Sequence, residues 1–240
     1  MEKDQAFSSP RRKFIGNIAT AGAAAIGLSA LASPFAATAG ELMTEEKHHS
    51  PFVDHEAWFN QIKGKHRIVY DVREPGQGHE LVSPFAWAKV FLLTNAATGT
   101  PEKDNSVVVV FRHNGIPFAL NDKMWAKYKL GENFKINDPN NGNASTRNMM
   151  WKPNPAFSVP GLGAVPIGID DLQGVGVMFC VCDMALTVNS AVIGESMKMK
   201  GEDVKKDWLA NLVPNVQVVP SGVWAIGRAQ EHKCGYCNAS

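Results

Sequence analysis

The chain has 240 residues, 45% hydrophobic and 20% charged, which is ordinary globular composition with enough apolar material for a sizeable core. Its 24 Lys and Arg residues nearly cancel its 23 Asp and Glu residues. No basic field exists to hold nucleic acid or an anionic membrane surface, so nucleic acid is not an expected partner.

The N-terminus reads Ser9-Pro10-Arg11-Arg12-Lys13-Phe14-Ile15. The arginine pair followed by Phe14 and Ile15 resembles the twin-arginine export motif, with Pro10 where Ser or Thr is usual. An Ala- and Gly-rich apolar stretch runs from Ile18 to Ala32, and Ala37-Thr38-Ala39 has the small-x-small form of a signal-peptidase site. Residues 1–39 are therefore expected to be a signal peptide that sends the folded chain to the periplasm, with the twin-arginine translocase as a transient partner. The alternatives are a chance Arg pair and an uncleaved N-terminal anchor; the anchor is disfavoured by a stretch short for a span and rich in Ala and Gly. Without residues 1–39, which hold Lys3, Arg11, Arg12, Lys13, Glu2 and Asp4, the basic and acidic counts fall to 20 and 21.

Residues 40–65 are polar and rich in His and Glu, with a short helix expected around Glu56–Ile62. His48, His49 and His55 could bind a metal, but a solvated segment is the simpler reading. Arg67–Val72 reads as a strand, followed by a Gly/Pro turn at Glu74–Gly78. Ser83 and Pro84 read as a helix start, a capping side chain followed by proline in the first turn. Val82, Phe85, Ala86, Val90 and Leu93 then mark one apolar helix face. Val107–Phe111 is an unbroken apolar run, as in a parallel strand covered on both faces. A helical stretch from Ile116 to Tyr128 follows.

Residues 137–168 have no periodicity and are rich in Asn, Gly and Pro, yet they include Met149, Met150 and Trp151. They form an irregular insertion, of a length that is usually functional or disordered, whose apolar residues argue that part of it packs down. Beyond it, Val177–Cys182 reads as a strand, Asp183–Met197 and Glu202–Leu212 as helices, Val216–Val219 as a strand and Val223–His232 as a last helix. Strands alternating with helices at this spacing imply an α/β domain over 66–240, a doubly wound and mostly parallel sheet of about five strands with helices on both faces.

Three segments resemble the DsrE/DsrF-like family, small α/β proteins linked with sulfur transfer and sulfur oxidation. They are Val107–Gly115 with its strand leading to His113, Val177–Leu186 with its strand ending in Cys182, and Leu212–Val223 followed by Ile226, Gln230 and Gly235-Tyr236. The resemblance spans about residues 66–236. It implies a flavodoxin-like sheet, frequent homo-oligomers and a cysteine at the Cys182 position that carries sulfur in some members. The insertion at 137–168 and a second cysteine at Cys180 depart from the family pattern.

The four cysteines fall in two pairs. Residues two apart in a strand point the same way, so Cys180 and Cys182 share a face. Their Cα atoms would lie about 6.6 Å apart, near the limit for a disulfide, so a bond between them would be strained. Cys180 is therefore expected inside and Cys182 at the carboxyl end of its strand, where open parallel sheets bind ligands. The amides of the following helix favour a thiolate there. Asp183 opposes this if its carboxylate faces the sulfur, and does not if it caps the helix. Cys182 as a plain buried hydrophobe is the alternative.

Cys234-Gly235-Tyr236-Cys237 admits three readings: a disulfide clasping the tail, a redox or sulfur-relay dithiol, or thiolate ligands for zinc or another soft metal. If the last helix lies beside the Cys182 strand, all four sulfurs, or Cys182 with Cys234, Cys237 and His113, would form one metal or relay site. His113 is a candidate acid/base or anion-binding group, or merely a loop anchor. Gly174-Val175-Gly176 precedes a strand, so it is no dinucleotide fingerprint, and no Walker loop or Ser-x-Gly elbow occurs.

Three functions follow. In the leading one the chain is a thiol-based sulfur carrier using Cys182, exchanging sulfur with a donor or acceptor protein and requiring no cofactor. The second is a periplasmic metal- or partner-binding module with structural cysteines, and the third a thiol oxidoreductase using Cys234 and Cys237.

Overall fold

The computed structural model describes residues 54–76, 81–154, 156–161 and 163–239. The expected signal peptide with Arg11 and Arg12, His48, His49 and most of the lead-in lie outside the described residues. Within the lead-in, Asp54 caps a short helix α1 (His55–Phe59), its Oδ1 accepting the Ala57 N–H at 3.1 Å.

The elements that follow are β1 (His66–Val72), α2 (Ser83–Ala97), β2 (Asn105–Phe111), a 3-10 helix (His113–Ala119), α3 (Asp122–Lys127) and α4 (Leu130–Asn133). Then come β3 (Ser158–Val159), β4 (Gly163–Ala164), α5 (Ile169–Gly174), β5 (Met178–Cys182), α6 (Asp183–Ser196), α7 (Gly201–Ala210), β6 (Val216–Val219), α8 (Gly222–Glu231) and β7 (Gly235–Asn238). Five strands form one sheet in the order β6-β5-β2-β1-β7. Every pairing in it is parallel. Helices flank it, and the fold is flavodoxin-like.

Right-handed crossovers explain the unequal layers. From β1 to β2 to β5 to β6 the chain steps in one direction across the sheet, so its connections lie on one face. Phe85, Phe118, Trp125, Leu172, Leu186 and Trp208 pack there against Val109, Phe111, Phe179 and Val181. The return from β6 to β7 runs the opposite way and puts α8 on the other face. There Phe59, Ile62, Ala225, Ile226 and Ala229 cover Val69, Val108, Val110, Cys180 and Val219. The helices after β5 and β6 thus leave on opposite faces, which makes the carboxyl ends of those two strands the switch point of the sheet.

Three local expectations are corrected. Ser83 is not the cap of α2: residues 81 and 82 already turn helically with Leu81 buried, and Val82 occupies the N-cap without a side-chain bond. The apolar face of α2 is only partly the expected one. Phe85 is buried and Val82 and Ala86 pack on the core as expected, but Ala88 is buried with them while Val90 and Leu93 are exposed. A helix apolar all round gives its pattern no means of choosing a face. The third is the helical stretch expected over Ile116–Tyr128, which is instead the 3-10 helix His113–Ala119 followed by α3. Beyond the last expected helix, β7 extends the sheet beside β1, with Ile68 opposite Gly235 and Asp71 opposite Asn238.

The insertion is anchored by polar chemistry as well as by its buried Met149 and Met150. Asn148, 1% exposed, donates through Nδ2 to the carbonyls of Phe118 and Leu120, and its Oδ1 accepts the Met150 N–H. The Asn148 amide donates to Asp122 Oδ1 at 2.8 Å. Among the described residues, no helix is long and apolar enough to cross a membrane. Replacing Asn148 with Ala orphans two buried carbonyls, and urea unfolding is expected to show a loss of about 2–3 kcal/mol. A loss within error would mean that the insertion is held by its methionines alone.

Candidate functional site at the carboxyl edge of the sheet

The β-strand alternation puts Asp71, Arg112, Cys180 and Cys182 on the α8 face of the sheet. Phe111 pairs with Val181, and Arg112 continues β2 in extended conformation, so Arg112 and Cys182 stand side by side at the carboxyl edge. On its other flank Arg112 reaches Asp71 of β1. Its Nε donates to Oδ1 at 2.7 Å and its Nη2 to Oδ2 at 2.8 Å, a bidentate pair around a carboxylate only 2% exposed. Tyr236 of β7 adds its hydroxyl to the same Asp71 Oδ2 at 2.9 Å. Cys182, Arg112, Asp71 and Tyr236 thus form a row across β5, β2, β1 and β7.

Charge pairing shows in the titration of this row. The Arg112 guanidinium is held above its ordinary range, first by its hydrogen bonds to Asp71 against the opposing effect of burial, with Tyr236 and Cys182 adding to the rise. The Tyr236 phenol is raised too, chiefly because it donates to Asp71.

Cys182 itself is the N-cap of α6. Its Sγ accepts the Ala185 N–H at 3.3 Å, so sulfur takes the place of the usual cap oxygen. Asp183 neither caps the helix nor works on the sulfur. Lys205 of α7 donates to its Oδ2 and to Thr187 Oγ1, both at 2.8 Å, and holds that carboxylate on the α7 side. The α6 amides and the Arg112 guanidinium therefore lie beside the sulfur, while the neighbouring carboxylates are engaged elsewhere.

The other predicted site residues are not brought to this row. Cys180, fully buried, serves as a core hydrophobe; burial pushes its thiol up, and Cys182 adds to the shift. Cys234 packs in the α8-side core and Cys237 against the opposite core, so the two face away from each other across the sheet. By register Cys234 lies six residues below Cys182, about 20 Å along the strands, and three strands away. All four cysteines are free thiols. Among the described residues no group of three or more His, Cys, Asp or Glu side chains is placed to hold a metal ion.

His113 opens the 3-10 helix with a left-handed φ of 50°. Its Nδ1 meets Glu74 Oε1 at 3.1 Å, and Asn114 donates to Glu74 Oε2 at 2.8 Å. The polar partner of His113 is therefore a surface carboxylate, not Cys182. His55 sits edge-on to Trp224, with ring centroids 6.2 Å apart.

Asp71, Arg112 and Tyr236 were not singled out as site residues from sequence. The readable signal was a lone acid near the end of the apolar strand HRIVYDV and a lone base directly after VVVVF, opposite charges at the same end of neighbouring strands.

No family model matches the chain, and no curated protein does. Among solved structures the chain is similar to a protein of unknown function from Methanobacterium thermoautotrophicum. The two share 17% identity at a TM-score of 0.32, over 72% of this chain and 98% of that one.

Burial pushes the Cys234 thiol up to about 11, against a smaller lowering by Arg67. A group whose folded value is raised contributes its stability in full below its ordinary value and loses it as pH climbs through the folded one. Stability is therefore expected to fall between about pH 9 and 11. In Cys234→Ala, urea unfolding across that window should show a shallower slope; an identical slope would rule Cys234 out as the cause.

Proposed function

We propose that this protein is an exported, thiol-based sulfur carrier of the DsrE/DsrF kind, with Cys182 as the group that accepts and presents sulfur. The observation that carries the reading is the placement of Cys182 Sγ, which accepts the Ala185 N–H at the start of α6 beside Arg112 at the sheet edge. A thiolate is the reactive form of cysteine, and the Ala185 amide and the Arg112 guanidinium are the groups placed beside this sulfur. In the transfer step the Cys182 thiolate attacks the outer sulfur of a persulfide donor. The donor's S–S bond breaks, the donor leaves as a thiolate with the electron pair, and Cys182 is left as a persulfide. No net oxidation occurs and no cofactor is needed.

Exposed apolar side chains at the same edge support handling by a partner protein. Met184 opens α6, Val223 opens α8, and Tyr236 lies on β7, with 37%, 69% and 50% exposure. The placement of Cys234 and Cys237 on opposite faces weighs against the dithiol oxidoreductase reading, and the absence of converging ligands among the described residues weighs against a metal built on the cysteines.

Intact-mass and peptide mass spectrometry on protein from the periplasm, without reducing agent, is the test. Mass of one or more sulfur atoms on the peptide holding Cys182, lost in Cys182→Ser, is expected. A native protein whose Cys182 peptide never carries sulfur and never alkylates would sink the carrier reading. Export forms part of the same proposal: the periplasmic form should begin at Gly40, and replacing Arg11 and Arg12 with Lys should leave the full-length chain in the cytoplasm. A full-length N-terminus in the periplasmic fraction would argue for an uncleaved segment.

A further inference from the structure

We infer that Arg112, fixed by Asp71 and Tyr236, is the specificity-determining residue of the Cys182 site, and that it selects a small anionic sulfane-sulfur donor of the thiosulfate type. The inference rests on the carrier reading above and names the donor class for the same sulfur.

Three observations carry it. First, Arg112 is the cationic side chain placed next to Cys182 by strand register, and the two share the α8 face of the sheet. Second, the guanidinium cannot swing freely. Two of its nitrogens are committed to Asp71, and the first turn of α8 covers its stem so closely that a Cβ on Gly222 would lie 2.5 Å from Arg112 Cβ. Third, its Nη1 makes no hydrogen bond among the described residues, and its side chain is 25% exposed. A fixed, partly exposed guanidinium with one nitrogen free of hydrogen bonds among the described residues can meet an oxyanion, whose oxygens match its planar donors. Asp71 and Tyr236 act through Arg112 and are positioning residues.

The step balances without a further reactant. The Cys182 thiolate attacks the outer sulfur of thiosulfate, the S–S bond breaks, and sulfite departs with the bonding pair. Cys182 is left as a persulfide anion. Arg112, on the strand beside Cys182, takes the sulfonate oxygens of the donor, so it favours an anionic donor over a neutral one.

The test compares two alkylating reagents on the full chain, iodoacetate and iodoacetamide, with the rate at Cys182 read by peptide mass spectrometry. Both reagents consume the same thiolate, so the ratio of their rates isolates the charge beside the sulfur. Cys237 in the same sample provides the reference. In Arg112→Gln the iodoacetate to iodoacetamide ratio at Cys182 should fall about fivefold, the size expected for loss of one nearby charge, with no change at Cys237. Arg112→Lys, which keeps the charge, should recover most of the ratio. If Arg112→Gln leaves Asp71 unpaired and does not fold, the double variant Asp71→Asn with Arg112→Gln removes both charges and is read the same way.

An unchanged ratio in folded variants overturns the role of Arg112 and leaves the carrier reading standing. A wild-type Cys182 that iodoacetamide never labels overturns both. Thiosulfate itself is the last probe: the wild type should gain sulfur on the Cys182 peptide, and Arg112→Gln about fivefold less in equal time. A charge-selective wild type that takes no sulfur from thiosulfate overturns the donor class.

Discussion

A carboxylate that is almost wholly withdrawn from water must be met on every side, and that of Asp71 is met by two segments of the chain. Arg112 supplies two parallel hydrogen bonds from the end of β2 and Tyr236 supplies its hydroxyl from β7, while the Asp71 backbone carbonyl accepts the Ala239 N–H just beyond β7. Losing one partner of a buried ion pair typically costs about 3–5 kcal/mol, because the other charge stays behind unpaired. The pair therefore constrains the structure far more than a surface salt bridge would. It orients Arg112, it holds β7 against β1, and through the covered stem of Arg112 it admits only glycine at the start of α8.

The sulfur chemistry of the chain is sorted by position along β5. Cys180 and Cys182 point to the same face; Cys180 lies within the strand as a small core hydrophobe, and Cys182, 6% exposed, is its last residue, where a helix begins. Lys205 completes the arrangement from α7 by holding Asp183, the one acidic residue adjacent to Cys182 in sequence. A carboxylate turned to the sulfur would oppose a thiolate; an ion pair made 22 residues further along prevents that.

The sheet was legible because its central strands are extreme. Val107–Phe111 and Met178–Cys182 are too apolar to be anything but strands covered on both faces. What could not be read was settled by tertiary choice. α2 is apolar all round, so the buried side was fixed by where β1 delivers the helix and not by its own pattern. Ser83 looked like a cap because it precedes Pro84, but the turn had already begun at a buried Leu81. β7 escaped because four residues with two polar side chains carry no strand signal of their own; the segment is extended because β1 offers it an open edge. The spacing of Cys234 and Cys237 drew a chemical reading for the same reason, since three residues along a helix or turn bring side chains together, whereas three along an extended segment part them. At the site, Cys182 was found from strand order. Its partners were not, because an ion pair between the ends of two strands becomes visible only once those strands are known to be neighbours.

The hydroxyl that Tyr236 gives to Asp71 joins residues 165 positions apart. The first strand of the sheet thus keeps an unpaired edge through the whole synthesis of the domain, and its buried acid lacks one of its partners until the final strand arrives. Contacts of such long range form late, since the loop they close must be ordered first. Until then the row of side chains beside Cys182 is incomplete. The finished Asp71 cluster is therefore a record of docking: a chain that has it is one in which the last strand has joined β1 and β2.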